Sequence, residues 1–471
     1  MRLRDLAGID SDSRVTGFAI DHRKVAPGTV FGAFRGTMFN GEDFIPAAVA
    51  AGAVAIVARP GVAVDGAPLL AAEEPRREFA RLAAKFFAPF PATVVAVTGT
   101  NGKTSNVELT RQLWRMGGLH AASIGTLGVT TADDQVTTGL TTPDVVTFLS
   151  NMAGLAREGV THAAFEASSH GLAQYRTEGL RVGAAAFTNF SRDHLDYHGT
   201  MEAYFEAKMR LFTEVVEPDG AAVLWMDDPK SGEVLRRVEA RGLRRITVGT
   251  RGETLRLVER IPTQLGQRLV LEVEGRRHDV NLPLIGAYQA ANALTATGLV
   301  TATGGDLGET LAHLARVQPV RGRLERAVIS RAGAPVYVDY AHTPDAIEAA
   351  VAALRPHAAG RLIIVFGAGG DRDVGKRAEM GAVAARLADL AIVTDDNPRS
   401  EDPGAIRRDI LEGAPSAREV PGRREAIAAA IGEARAEDIV LLAGKGHEQG
   451  QIVGDRVLPF DDVAVARECA A

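Results

Sequence analysis

The run Thr98-Gly99-Thr100-Asn101-Gly102-Lys103-Thr104 offers a glycine turn, an ammonium and a hydroxyl in the order needed to hold a polyphosphate. It follows Val94-Val95-Ala96-Val97 and precedes a helical pattern from about Lys103 to Met116. In such a strand–turn–helix unit, backbone N–H groups of the turn point at the anion and Lys103 adds positive charge. The Thr104 hydroxyl can ligate Mg²⁺. The usual spacing G-x-x-x-x-G-K-[ST] would place the first glycine at position 97, where this chain has Val97. The glycine is displaced to Gly99. A chance turn is the plainer alternative, but strand, turn, Lys-Thr and helix together predict nucleotide binding.

Two further polar clusters end strand-like runs. The first is Glu166-Ala167-Ser168-Ser169-His170, after 163–165. The second runs from Asn189 through Ser191-Arg192-Asp193-His194-Leu195-Asp196-Tyr197-His198, after 184–188. A carboxylate such as Glu166 and an imidazole such as His194 beside a triphosphate are ligands suited to Mg²⁺. A helix cap followed by a surface loop is the bland alternative. Lys208 lies in the helical pattern 203–212 and, taken alone, reads as a surface lysine.

From about Gln318-Pro319 onward, four strand candidates each end in a polar or glycine-rich loop. These loops are Asp339-Tyr340-Ala341-His342-Thr343-Pro344-Asp345, Gly367-Ala368-Gly369-Gly370-Asp371-Arg372-Asp373, Asp395-Asp396-Asn397-Pro398-Arg399 and Gly444-Lys445-Gly446-His447-Glu448. One would be an ordinary turn, but four on one edge of an open α/β sheet predict a second binding crevice. A nucleotide edge and a charge-rich edge are what an enzyme joining two substrates needs.

The elements that must position these residues are strands alternating with helices, which imply a mostly parallel sheet. At 471 residues the chain exceeds one core, and about three domains are expected. The boundaries fall at 1–90, 91–317 and 318–471, the first marked by the helix-breaking Pro89-Phe90-Pro91. The first segment reads as a small α/β module in which a Pro27-Gly28 turn feeds a strand. Composition is that of a soluble globular protein, 46% hydrophobic and 24% charged. The net charge of -6 gives no reason to expect nucleic acid as a partner. The single cysteine, Cys469, excludes a disulfide framework and a thiolate metal site. The longest nearly apolar run, 47–58, falls short of the roughly 20 residues of a membrane helix, and no apolar signal core follows Met1. The expectation is a cytoplasmic protein without membrane insertion.

Taken together, T-G-T-N-G-K-T, E-A-S-S-H-G-L, S-R-D-H-L-D-Y-H, D-Y-A-H-T-P-D, G-G-D-R-D, D-N-P-R and G-K-G-H-E resemble the Mur ligases over nearly the whole chain. These are ATP-dependent amide-forming enzymes of cytoplasmic peptidoglycan synthesis, and the resemblance is to the type adding meso-2,6-diaminopimelate. It implies a small N-terminal UDP-binding α/β domain, a central P-loop ATPase-type domain and a C-terminal Rossmann-like domain for the amino acid. It also implies an acyl-phosphate mechanism on UDP-MurNAc-L-Ala-D-Glu and a monomer.

By the same resemblance, Gly99, Thr100, Asn101, Gly102, Lys103 and Thr104 hold the ATP phosphates, with Asn292, Arg323 and Asp339 completing the ATP site. Thr104 and Glu166 serve one Mg²⁺. His194 serves a second, aided by Lys208 carbamylated from CO₂. Lys208, Lys103 and His194 are thereby the catalytic candidates. Ile20, His22, Thr141, Thr142, Ser168, Gln174 and Arg176 fall on the contacts of the UDP-sugar dipeptide. Arg372, Asp396, Asn397, Pro398, Arg399, Gly444 and Glu448 match the diaminopimelate pocket. There Arg399 offers a donor fork to the distal carboxylate that lysine lacks, and Glu448 can pair with the distal ammonium.

This chain departs from the family pattern in places. His22 stands where the family has a serine, Asn40-Gly41 where it has D-G, and Gln289 where an asparagine is expected, so only Asn292 carries the adenine contact. The alternatives are an L-lysine-adding ligase of the same family, a ligase like folylpolyglutamate synthetase, and a non-catalytic nucleotide-binding module.

Overall fold

The computed structural model describes residues 1–36, 39–132, 134–136, 141–263 and 266–471. They form two compact units, Met1–Arg256 with Leu294–Thr310, and Leu257–Ala293 with Leu311–Ala471. Among the described residues no helix is long and apolar enough to cross a membrane.

The first unit holds a four-stranded parallel sheet of Gly17–Ala19, Thr29–Gly32, Ala53–Ala58 and Leu69–Ala71. Helix Pro75–Phe87 begins at a proline, whose missing N–H would have no intrahelical partner there anyway. It buries Phe79, Ala80, Leu82 and Ala83 at helical spacing. Phe79 meets the rings of Phe18 and Phe34 edge-on at 5.2 and 5.4 Å. Truncating it to alanine would cost about 3–5 kcal/mol.

The larger sheet of this unit places Arg244–Gly249, Val216–Trp225, Val182–Phe187, Thr93–Thr98, His162–Glu166 and Ala121–Gly125 side by side, all parallel. Antiparallel Gly128–Thr130 and Gln135–Val136 follow at one edge. The register sets Val97 against Glu166 and Thr98 against Phe187. The loops after these strands therefore leave the same sheet edge, as the strand pattern predicts. Helix Lys103–Met116 matches its expected span.

Lys208 corrects its surface reading. Helix Met201–Arg210 buries Tyr204, Phe205 and Lys208, and Lys208 is 1% exposed. It sits one turn beyond Tyr204 on the apolar face, so helical geometry takes the lysine inward with the aromatics.

In the second unit, strands Pro335–Asp339, Ile439–Ala443, Leu362–Phe366 and Leu390–Val393 pair in parallel, in that order, with antiparallel Glu325–Ile329 beside the first. All four expected loops thus emerge from one edge. A hairpin of Gly266–Val273 and Arg276–Leu282 lies outside the sequence expectations. It turns at Glu274-Gly275, both with positive φ (50° and 75°), the geometry of a two-residue hairpin turn.

Candidate active site

The phosphate loop requires its displaced glycine. Gly99 has φ 143°, and a Cβ there would stand 1.9 Å from Thr188 Oγ1. Gly102, at φ 85°, caps the helix that begins at Lys103. Position 97 lies within the strand, where Val97 is fully buried. Glycine is therefore needed two residues later than in the usual loop.

Neighbouring loops brace the turn. Thr100 N donates to Asn189 O at 2.9 Å and Asn101 N to Asn189 Oδ1 at 2.8 Å. Thr188 Oγ1 donates to Asn101 O at 2.6 Å. Thr100 Oγ1 accepts from Ser191 N at 3.0 Å and lies 3.2 Å from the Tyr204 hydroxyl.

Lys103 Nζ donates to Gly99 O at 2.9 Å and Thr100 O at 2.7 Å, and Lys208 Nζ donates to Gly99 O at 2.7 Å. Burial, reinforced by the Lys103 charge, holds the Lys208 amine well below the ordinary lysine range. A neutral amine is a nucleophile, the form that reacts with CO₂.

Glu166 is 1% exposed at its strand end. It accepts from Thr126 N at 2.7 Å and Thr126 Oγ1 at 3.3 Å. Gly125 leaves room for it, since a Cβ there would lie 2.1 Å from Glu166 Oε1. His194 stands at φ 52°, a left-handed conformation costly for a non-glycine residue. Its ring lies 5.0 Å from that of His170 and 5.8 Å from that of Tyr204. Burial keeps His194 below the ordinary histidine range, aided by Lys103 and Lys208, and drives His170 down to about 4. The oxygens of Thr104 and Glu166 are hard donors of the kind Mg²⁺ takes.

Thr141, Thr142, Ser168, Gln174 and Arg176 form one network beside Glu166. Thr142 Oγ1 donates to Glu166 O at 2.7 Å and accepts from Ser168 N at 3.2 Å. Thr141 Oγ1 lies 3.1 Å from Thr126 Oγ1. Ser168 caps helix Ser169–Ala173 by accepting from Gly171 N at 3.0 Å. Arg176 donates to Thr142 O at 2.6 Å and to Gln174 Oε1 at 3.0 Å. Ile20, Gln174 and Arg176 line a small open cleft of about 50 Å³, together with Phe34, Arg76, Asp144 and Val145. His22 is instead stacked flat on Phe44, ring centroids 4.3 Å apart. Arg76 and Asp144 stand in none of the sequence motifs, and His170 entered only as a letter of E-A-S-S-H-G-L.

In the second unit, Asp339 accepts from Leu324 N at 2.7 Å, and burial pushes its carboxyl up to about 6. Arg323 lies over the Tyr340 ring at 4.7 Å. Gln289 connects the adenine candidate to this corner. It donates to Arg323 O at 3.0 Å and accepts from Asn292 Nδ2 at 3.3 Å. The departing residue is thus part of the site's framework.

The loops after the next strands converge on Arg399. This residue has φ 52° and donates from Nη1 to Gly370 O at 2.7 Å. Its backbone is held by strand Gly450–Val453, with Arg399 N donating to Ile452 O at 3.0 Å. Gly369 lies between two arginines: a Cβ there would meet Arg399 Nη1 at 2.8 Å and Arg372 Cγ at 3.7 Å. Gly370 passes so close to Pro398 that its Cβ would lie 2.0 Å from Pro398 O. Gly444, at φ 113°, faces Asp396, whose Oδ2 a Cβ would approach to 2.6 Å.

Beneath this loop, fully buried Lys445 donates to Asn397 Oδ1 at 3.0 Å and Glu448 Oε2 at 3.1 Å, and Asn397 Nδ2 donates to Glu448 Oε2 at 2.7 Å. Lys445 was legible only as a motif letter. Its burial and its two partners were not.

Comparison with known proteins gives this geometry its context. The Mur ligase family, catalytic domain, matches residues 14–113, the Mur ligase middle domain 97–300, and the Mur ligase glutamate ligase domain 322–446. A UDP-N-acetylmuramoyl-L-alanyl-D-glutamate--2,6-diaminopimelate ligase of Zymomonas mobilis is 61% identical over 463 residues, 98% of this chain and 95% of that one. One of the same name from Bradyrhizobium diazoefficiens is 52% identical, covering 98% of this chain and 97% of the relative. A solved structure of a ligase of that name is 32% identical with a TM-score of 0.75, covering 100% of this chain and 98% of that one. The chain belongs to the Mur ligase family and has its α/β fold with a mostly parallel central sheet.

Proposed function

We propose that this chain is an ATP-dependent ligase that joins meso-2,6-diaminopimelate to the D-glutamyl carboxylate of UDP-MurNAc-L-Ala-D-Glu in cytoplasmic peptidoglycan synthesis. The observation that carries the reading is the 61% identity, over 98% of the chain, to a relative bearing that name. The proposed regions are 1–90 for the UDP moiety, 91–317 for ATP and 318–471 for the amino acid, in a monomer.

A carboxylate acylates poorly because its leaving group would be oxide. Transfer of the ATP γ-phosphoryl group to the glutamyl oxygen supplies a better one, and the incoming amine then displaces phosphate to leave an amide. In this reading the 99–104 backbone and Lys103 hold the phosphates in line with that oxygen. Thr104, Glu166, His194 and carbamylated Lys208 would hold two Mg²⁺ ions, which supply charge neutralisation during phosphoryl transfer. Lys208 suits carbamylation because burial lowers the proton affinity of its amine and Gly99 O orients it. Asn292, Arg323 and Asp339 bind the rest of ATP, while Ile20, His22, Thr141, Thr142, Ser168, Gln174 and Arg176 bind the UDP-sugar dipeptide.

Arg372, Asp396, Asn397, Pro398, Arg399, Gly444 and Glu448 receive diaminopimelate. Arg399 takes the distal carboxylate, and charge-assisted bonds of this kind contribute about 1.5–3 kcal/mol each. A guanidinium left unmatched by lysine widens the gap, so discrimination reaches roughly 10⁴-fold.

The test is phosphate release from ATP with UDP-MurNAc-L-Ala-D-Glu and each candidate amino acid. Release with meso-diaminopimelate, and not with L-lysine or with folate plus glutamate, is expected. Equal turnover with lysine would refute the pocket assignment.

A further inference from the structure

Helix Pro75–Phe87 carries two successive arginines in opposite situations. Arg77 is ion-paired with Glu178 at 2.8 Å and Glu214 at 3.4 Å. Arg76 has no carboxylate at ion-pair distance among the described residues. Its guanidinium donates to Arg35 O at 3.1 Å and lies 4.8 Å from the Phe34 ring centroid. Across the cleft, Arg176 is in the same position, since its bonds go to the neutral oxygens of Thr142 and Gln174. Both arginines are half-buried and line the same cleft. Burial weakens the charged form of each, and the charge of Arg176 adds to the effect on Arg76.

The carboxylate lining the cleft, Asp144, is already engaged. It caps helix Val145–Arg157, accepting from Val146 N at 3.0 Å, Thr147 N at 3.2 Å and Thr147 Oγ1 at 2.7 Å. Its charge offsets part of the burial cost at Arg176, but it hydrogen-bonds to neither guanidinium among the described residues, so two half-buried arginines share one cleft with a single carboxylate and leave positive charge that an anion completes.

We propose that Arg76 and Arg176 together grip one anionic group of the nucleotide-sugar substrate, which makes Arg76 a substrate-binding residue contributed by the N-terminal region. The proposal rests on the substrate named above. The group is a cluster of anionic oxygens with two possible sources, the diphosphate or the glutamyl carboxylate that is not acylated.

Steady-state kinetics of the full chain with Arg76→Ala, Arg76→Gln and Arg76→Lys test it. The KM for UDP-MurNAc-L-Ala-D-Glu is expected to rise about 10- to 100-fold in the alanine and glutamine variants. Lysine should recover part of the loss, since it restores charge without the fork. KM for ATP and for diaminopimelate, and the thermal midpoint, should stay at wild-type values, and Arg76→Gln guards against a packing defect in Arg76→Ala.

Titration of UDP-N-acetylglucosamine, which carries the diphosphate and no carboxylate, distinguishes the sources. Equal weakening of this ligand and the full substrate identifies the diphosphate, and weakening of the full substrate alone identifies the carboxylate. A folded Arg76→Gln whose substrate KM stays within about twofold of wild type overturns the proposal. A wild-type chain without turnover would overturn the ligase reading instead, and titration of UDP-MurNAc-L-Ala-D-Glu alone would still decide the role of Arg76.

Discussion

The side-chain amines of Lys103 and Lys208 converge on one acceptor, the carbonyl oxygen of Gly99, at 2.9 and 2.7 Å. Two ammonium groups so close repel each other, and the more buried one gives way. Lys208 loses its proton more readily because it is enclosed and Lys103 stands beside it.

Replacement of Lys208 by alanine should therefore leave the fold intact while lowering kcat by about 10²-fold or more, the scale of losing a group that stabilises transition-state charge. Added short-chain carboxylic acid should restore part of the rate by standing in for the carbamate. Unchanged activity in the variant, measured as phosphate release, would falsify the carbamate assignment.

Arg399→Lys keeps a positive charge but loses the planar fork. The KM for diaminopimelate should rise about 10-fold or more, and the preference over lysine should shrink from its roughly 10⁴-fold expectation. Competition assays with the two amino acids measure the ratio directly. A preference as strong as wild type would remove Arg399 from the selectivity argument.

Lys445→Met keeps length and volume while removing the ammonium that holds Asn397 and Glu448. Glu448 then loses a charge-assisted bond, and the KM for diaminopimelate should rise by about 10-fold. The KM for ATP should stay constant. A general loss of thermal stability without a change in KM would assign Lys445 to packing alone.

Arg423 and Asp462 form a fully buried pair with bonds of 2.7 and 2.6 Å. Asp462→Ala strands the guanidinium in the core and should cost about 3–5 kcal/mol in urea unfolding. A cost near zero would show that water or rearrangement reaches the site.

Asp339 supplies a pH signature. Its folded carboxyl is raised to about 6 from an ordinary 3.8, so the folded chain keeps a proton that the unfolded chain has already released. The associated stability is fully present below pH 3.8 and is lost as pH rises through about 6. The loss amounts to about 3 kcal/mol. Asp339→Asn should flatten this part of the stability profile between pH 4 and 7, read by denaturant midpoints. An identical profile in both proteins would show that another group is responsible.

Much of this was legible in the residues. The strands Leu362–Phe366 and Ile439–Ala443 fall where their apolar runs predict, because short β-branched runs bounded by glycine and charge leave few other conformations. Loops at strand ends could be assigned to a common edge because parallel connections dictate it. The burial of Lys208 was not legible from its helix alone, since a lysine's exposure depends on what packs over it. Arg76 and Arg77 are adjacent and of one type, and only the fold separates them. The partner of Arg77, Glu178, lies 101 residues away in the chain. The hairpin at Glu274-Gly275 could have been found, since Leu269, Leu271 and Val273 alternate as buried residues before the turn.

Strand Gly450–Val453 and the glycine that follows it grip the backbone of Arg399 from both sides, with Arg399 N donating to Ile452 O at 3.0 Å and Gly454 N to Arg399 O at 2.7 Å. Asn397 Oδ1 is bound to the same strand through Ile452 N at 2.9 Å. The two segments therefore act as one unit. A side chain substituted at 399 keeps a left-handed backbone fixed by its neighbour, so a full exchange of selectivity needs both segments. Grafts that move 396–399 and 449–454 together should carry selectivity between relatives, while single-segment chimaeras should lose it.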